Sequence, residues 1–89
     1  MELVSLSLSA KATKQLNALP LQTQHKYRNA FDRLQRFGAK YPSLRTHRIY
    51  IHSFSSEISL WSSSASMALR FYWHHIEPRS IEVKALDSH

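Results

Sequence analysis

The sequence predicts a two-layer α+β domain in the order βααββββ, with a helical hairpin packed on one face of a mainly antiparallel sheet. Three observations predict it. After one short alternating stretch, apolar residues in the first half recur at helical spacing. The second half alternates instead, in runs separated by short polar turns. The 89 residues suffice for one hydrophobic core and not for two, so both halves are expected to share it as a single domain over 1–89.

The first element is a strand from Val4 to Leu8. Val4, Leu6 and Leu8 share one face, Ser5 and Ser7 the other, and Leu3 breaks the pattern. Ser9 is placed to cap a first helix in which Ala12, Leu16 and Leu19 fall on one side, and Pro20 ends it or begins the connection. A second helix is expected from about Thr23 to Phe37, with Tyr27, Ala30, Phe31, Leu34 and Phe37 on its apolar side. Gly38 sits where a left-handed cap is wanted. His47 to His52 reads as a strand with Ile49 and Ile51 on one face. Glu57 to Ser62 reads as another, with Ile58 and Leu60 together. Ser62-Ser63-Ser64 reads as a turn into the longest strand, Ser66 to about His75. Glu77-Pro78-Arg79-Ser80 is a further turn. Ile81 to Leu86 is the last strand, with Ile81, Val83 and Ala85 alternating. The short turns imply antiparallel hairpins.

Composition excludes several classes. With no cysteine there is neither a disulfide nor a thiolate metal site. A single glycine leaves no glycine-rich phosphate loop and no nucleophile elbow, and nothing marks any serine as a nucleophile. No apolar run approaches the roughly 20 residues of a membrane helix. The start MELVSLSLSA lacks the basic region of a signal peptide, so the expected location is cytoplasmic, with no membrane partner. The six histidines show no metal-binding spacing, and no cofactor or metal is expected.

The net charge of +6 is unevenly spread. Between Lys11 and Arg48 there are nine basic residues and one acid, Asp32. From Ile49 to His89 there are three basic and four acidic residues. Such asymmetry draws polyanions, although a merely solvated basic surface has the same composition. Lys26 and Arg33, seven residues apart, share a flank of the second helix with Arg36 nearby.

Alternation sorts the longest strand into two faces. Met67, Leu69, Phe71 and Trp73 point one way, toward the expected core. Ala68, Arg70, Tyr72 and His74 point the other way. A similar row, Arg48, Tyr50 and His52, lies on the strand from His47, and neighbouring strands would bring the two rows close. Arginine matches phosphate oxygens, histidine moves protons near neutral pH, and tyrosine stacks on a base or donates a hydrogen bond. An antiparallel sheet commonly has one wet face where these residues are ordinary, so alternation alone leaves catalysis open.

The stretch Glu57-Ile58-Ser59-Leu60-Trp61, followed by Ala68-Leu69-Arg70-Phe71-Tyr72-Trp73, resembles the central hairpin of RelE/ParE-superfamily toxins. The ending Ile81-Glu82-Val83-Lys84-Ala85-Leu86-Asp87-Ser88-His89 is similar to that family's last strand, and Leu16-Asn17-Ala18-Leu19-Pro20 fits its helical hairpin. The resemblance implies a toxin neutralised by a cognate antitoxin, cutting mRNA at the ribosome by attack of the RNA 2′-hydroxyl on the adjacent phosphate, without a metal. It makes Arg70 the stabiliser of the phosphorane charge and His89 an acid or base, and it adds Arg48 to the catalytic set. Arg45, Tyr72, His74, Lys26, Arg33 and Arg36 become candidates for binding the substrate and the ribosome. Two departures from the family pattern matter: many members have acidic or aromatic residues after the terminal histidine, where this sequence ends at His89, and many carry another arginine where this chain has Ser62-Ser63-Ser64. The second departure motivates the alternative of a non-enzymatic module, either a gyrase-inhibiting toxin or a degenerate one that only binds its antitoxin.

Overall fold

A computed structural model of the chain describes residues 4–52 and 57–88. The elements are β1 (Ser5–Leu8), α1 (Ala10–Asn17), α2 (Leu21–Phe37), a 3-10 turn (Pro42–Leu44), β2 (His47–His52), β3 (Glu57–Ser66), β4 (Leu69–Glu77) and β5 (Ser80–Ser88). The five strands lie in the order β1-β5-β4-β3-β2. Strand β1 pairs parallel with β5, and the other neighbours pair antiparallel. The helices cover one face, as the two-layer α+β expectation requires. No helix of the described residues is long and apolar enough to cross a membrane.

The helices form where their ends are tied. Ser9 Oγ accepts the backbone N–H of Ala12 at 3.0 Å, which satisfies one of the free donors of the first turn of α1. Helix α2 begins at Leu21, two residues before the expected Thr23. Pro20 precedes it with φ −56°, and its carbonyl accepts from the Gln24 N–H at 3.0 Å. Gly38 has φ 84° and ψ 176°. The positive φ requires glycine, but the extended ψ makes this a sharp exit and not the left-handed cap expected. Phe37, expected on the apolar side, is half exposed and stacks on Tyr41 at 4.9 Å.

The core lies between the helices and the centre of the sheet. Ala12 and Leu16 of α1, with Tyr27, Ala30, Phe31 and Leu34 of α2, meet Leu69, Phe71 and Trp73 of β4 and Ile81, Val83 and Leu86 of β5. Phe31 and Phe71 meet edge-to-face at 5.0 Å, a favoured aromatic geometry.

Three expectations for the second half are corrected. First, Ser62-Ser63-Ser64 is not a turn. It continues β3 and is buried. Serine favours turns because its hydroxyl competes for backbone groups, but here the hydroxyls of Ser62 and Ser63 have other partners. Ser63 Oγ accepts from Trp73 Nε1 at 2.9 Å and lies 2.7 Å from Thr46 Oγ1. Second, the turn therefore falls at Met67 and Ala68. Met67, expected in the core, is 93% exposed at the hairpin tip. Third, Ala85 does not continue the inward row of Ile81 and Val83. Trp73 pairs with Val83 while the adjacent Tyr72 pairs with Ala85, so Lys84 is an extra residue in β5. This bulge reverses the phase of the strand end: Leu86 turns into the core and Asp87 turns out. Helix α1 secures the bulge. Ser9 Oγ donates to the Lys84 carbonyl at 2.8 Å, and Gln15 Oε1 accepts the Leu86 N–H at 2.8 Å.

Candidate functional site on the open sheet face

The face of the sheet away from the helices carries the charged chemistry. Directly opposed residues on antiparallel strands share a face, so the register fixes its membership. Arg70 is opposed by Ser64 on β3 and by Asp87 on β5. Tyr72 is opposed by Ser62 and Ala85, and His74 by Glu82. His47 joins them opposite Ser62.

Two linked groups result. In the first, Tyr72 Oη donates to Asp87 Oδ2 at 3.0 Å, and Arg70 Nη1 approaches Ser62 Oγ at 3.5 Å. From the covered side, the Tyr27 hydroxyl lies within hydrogen-bonding distance of the carbonyls of both Arg70, at 3.2 Å, and Asp87, at 3.3 Å. Burial, then the negative charge of Asp87, then Tyr72, push the Tyr27 phenol up to about 12. Tyr72 is also raised, by burial first and then by its hydrogen bond to Asp87, with Arg70 opposing. Both phenols therefore stay protonated near neutral pH and serve as donors, not bases. In the second group, His74 Nε2 lies 3.2 Å from Glu82 Oε1. A carboxylate accepts, so in this contact Nε2 is the donor. Arg70 and His74 are four residues apart on one strand, roughly 13 Å at the usual strand rise.

The other expected site residues fall elsewhere. Arg48 is opposed by Trp61, which is opposed by Trp73 in the core. It therefore lies on the helix-covered face, with its guanidinium carbon 5.6 Å from the Trp61 ring centre, and not beside Arg70. Arg48 therefore does not meet the row of Arg70, Tyr72 and His74, because the two lie on opposite faces across β3. The side chains of Tyr50 and His52 and the whole of His89 lie outside the described residues. Lys26 and Arg36 are exposed on α2, where Arg36 Nε pairs with Asp32 Oδ1 at 3.0 Å. Arg33 and Arg45 come together at a cleft beside the β3–β4 hairpin.

Sequence reasoning missed Asp87, Glu82, Ser62 and Ser64. Alternation within β5 could have found Glu82 between Ile81 and Val83. Asp87 was hidden because its face depends on the Lys84 bulge. Among the described residues no three His, Asp or Glu side chains gather as a metal site.

Solved structures share this architecture over nearly their whole length. RelE in the archaeal RelE–RelB complex from Pyrococcus horikoshii superposes with a TM-score of 0.71 at 13% identity, covering 99% of this chain and 96% of that one. The YoeB dimer from Staphylococcus aureus gives 0.70 at 12% identity, covering 97% of each chain. The toxin–antitoxin complex RelBE2 from Mycobacterium tuberculosis gives 0.69 at 13% identity, covering 98% and 99%. No protein-family model and no curated protein sequence matches the chain. The domain is thus of the class in which a helical hairpin packs on a five-stranded sheet. More particularly, it has the fold of the RelE and YoeB toxins, and the resemblance read from the sequence is borne out at the level of the fold.

Proposed function

We propose that the chain is the toxin of a toxin–antitoxin pair, held inactive by a cognate antitoxin, and that it cuts mRNA at the ribosome without a metal. The observation that carries this reading is Arg70. It stands in the middle of the uncovered face, partly exposed, with hydroxyls from Ser62 and Ser64 on one side and Asp87 on the other. The shared fold with RelE and YoeB, including RelE bound to RelB, supports the partner.

In the proposed reaction the RNA 2′-oxygen gives up its proton and attacks the adjacent phosphorus. The bond to the 5′-oxygen of the next nucleotide breaks, that oxygen takes a proton, and a cyclic phosphate is left. Arg70 would neutralise the charge gathering on the phosphorane oxygens, the step where a fixed guanidinium contributes most. Tyr72 stays protonated, so the base is sought elsewhere. Asp87, beside this group, is one candidate; His89, outside the described residues, is the other that the family resemblance supplies, while His74, held by Glu82, is farther along the strand. Tyr72 and His74 offer faces on which RNA bases stack. Lys26 and Arg36 would meet ribosomal RNA backbone without sequence choice. The test is induction of the chain in growing cells, followed by mapping of mRNA 5′ ends. Growth arrest with new ends inside translated regions is the expected result, and arrest with intact mRNA would refute cleavage.

Two observations favour a second reading, a non-enzymatic toxin or a degenerate one. Arg48 lies on the wrong face to assist Arg70, and serines stand where a second arginine would. Altered plasmid supercoiling with intact mRNA would mark a gyrase inhibitor, and antitoxin binding without arrest a degenerate toxin.

A further inference from the structure

We infer that the cleft between α2, the 3-10 turn and the tip of the β3–β4 hairpin is a phosphate-binding subsite, separate from Arg70, that takes a backbone phosphate of a single RNA strand. The cleft holds about 240 Å³ and is lined by Arg33, Ser43, Arg45, Ser64, Ala65, Ser66 and Met67. Two arginines from different elements thus line it, with three serines and no acidic residue. The acid nearest Arg33 in sequence, Asp32, is engaged by Arg36 at 3.0 Å. Among the described residues neither Arg33 nor Arg45 is paired with a carboxylate. Forked donors together with hydroxyls suit the several oxygens of a phosphate better than the two of a carboxylate.

The backbone supplies an independent observation. Arg45 has φ 45° and ψ 48°, and it is the non-glycine residue with positive φ among those described. Glycine or asparagine takes this left-handed region readily, whereas a long side chain there is strained. Strain of this kind gathers at functional positions. Glycine would serve the turn better, so a side-chain role for arginine accounts for its presence.

Position supplies the ligand's identity, and this step rests on the RNA-cleaving reading above. Ser64 lines the cleft and is also the residue opposite Arg70. A strand with one phosphate at Arg70 could therefore pass the hairpin edge and lodge a neighbouring phosphate between Arg33 and Arg45. Met67, 93% exposed at the rim, offers an apolar surface to the intervening sugar or base.

The experiment follows arginine Nε–H and backbone amide resonances of the full chain during titration with three probes: inorganic phosphate, a short single-stranded oligoribonucleotide, and a Glu/Asp-rich peptide. Saturable shifts at Arg33, Arg45 and residues 64–66 are expected with phosphate and, more tightly, with the oligoribonucleotide. Arg45→Gly and Arg33→Ala should each weaken phosphate binding by about tenfold or more, the scale of a lost charge-assisted hydrogen bond. Arg45→Gly relieves the backbone, so its melting temperature should hold or rise, which separates lost binding from lost folding. Arg70→Ala should leave phosphate binding in the cleft unchanged. The subsite therefore survives even if the chain cuts no RNA. Non-saturating shifts equal in wild type and Arg45→Gly would overturn the proposal. So would binding of the acidic peptide alone, which would make the cleft a protein-docking site.

Discussion

The two faces of the sheet are built by the same strands and obey different rules. On the covered face, Phe71 and Trp73 are fully or almost fully buried, and the polar Ser63 is there with a partner for its hydroxyl. On the open face, Arg70, Tyr72 and His74 alternate with those same residues; Tyr72 and His74 are tied to acids on β5, and Arg70 is paired in register with one. The difference shows that one extra residue decides which chemistry meets water. Without the bulge at Lys84, Asp87 would face the core and Leu86 would face solvent. With it, a carboxylate stands opposite Arg70, and α1 holds that arrangement through Ser9 and Gln15.

Substitution on the covered face should have the largest effect on stability. Phe71→Ala removes a ring packed against Tyr27 and Phe31. It should cost about 3–5 kcal/mol of stability in denaturant unfolding. A change under about 1 kcal/mol would mean that this face is not the core. Ser63→Ala should cost about 1–3 kcal/mol, because it strands the buried Trp73 N–H and takes a partner from Thr46. An unchanged midpoint would show that the serine is filler in the strand.

Tyr27 joins the two faces and has a pH signature. Its phenol is raised from 10.0 to about 12 in the folded chain. A raised folded value means that the unfolded state releases the proton first. The contribution to stability is therefore full below about pH 10 and is lost as the pH climbs toward 12. Tyr72, also raised, acts in the same direction. Tyr27→Phe should lower stability by about 1 kcal/mol at neutral pH and flatten this alkaline decline. An identical alkaline slope in the variant would remove Tyr27 from the network.

Much of this layout was legible in the sequence. Helical spacing gave both helices to within a few residues, and alternation divided Leu69, Phe71 and Trp73 from Arg70, Tyr72 and His74. What stayed hidden depends on pairing between strands. Alternation states that Arg48 and Ile49 face opposite ways but not which of them faces the helices; the register through Trp61 decides that. The serines misled because their turn preference is local, whereas the Trp73 N–H that satisfies Ser63 comes from ten residues away. Once that turn was misplaced, Met67 was assigned inward. The acid opposite Arg70 needed a bulge that leaves no mark in the hydrophobic pattern.

Whether Arg70 carries mRNA cleavage is decided on the open face alone. Wild type and Arg70→Ala, matched for expression and thermal stability, are induced side by side and their mRNA 5′ ends are mapped. Arg70 is only partly buried, so the substitution should leave folding intact while the new ends in translated mRNA disappear and growth resumes. Arg70→Ala that cuts the same messages as the wild type would contradict the account.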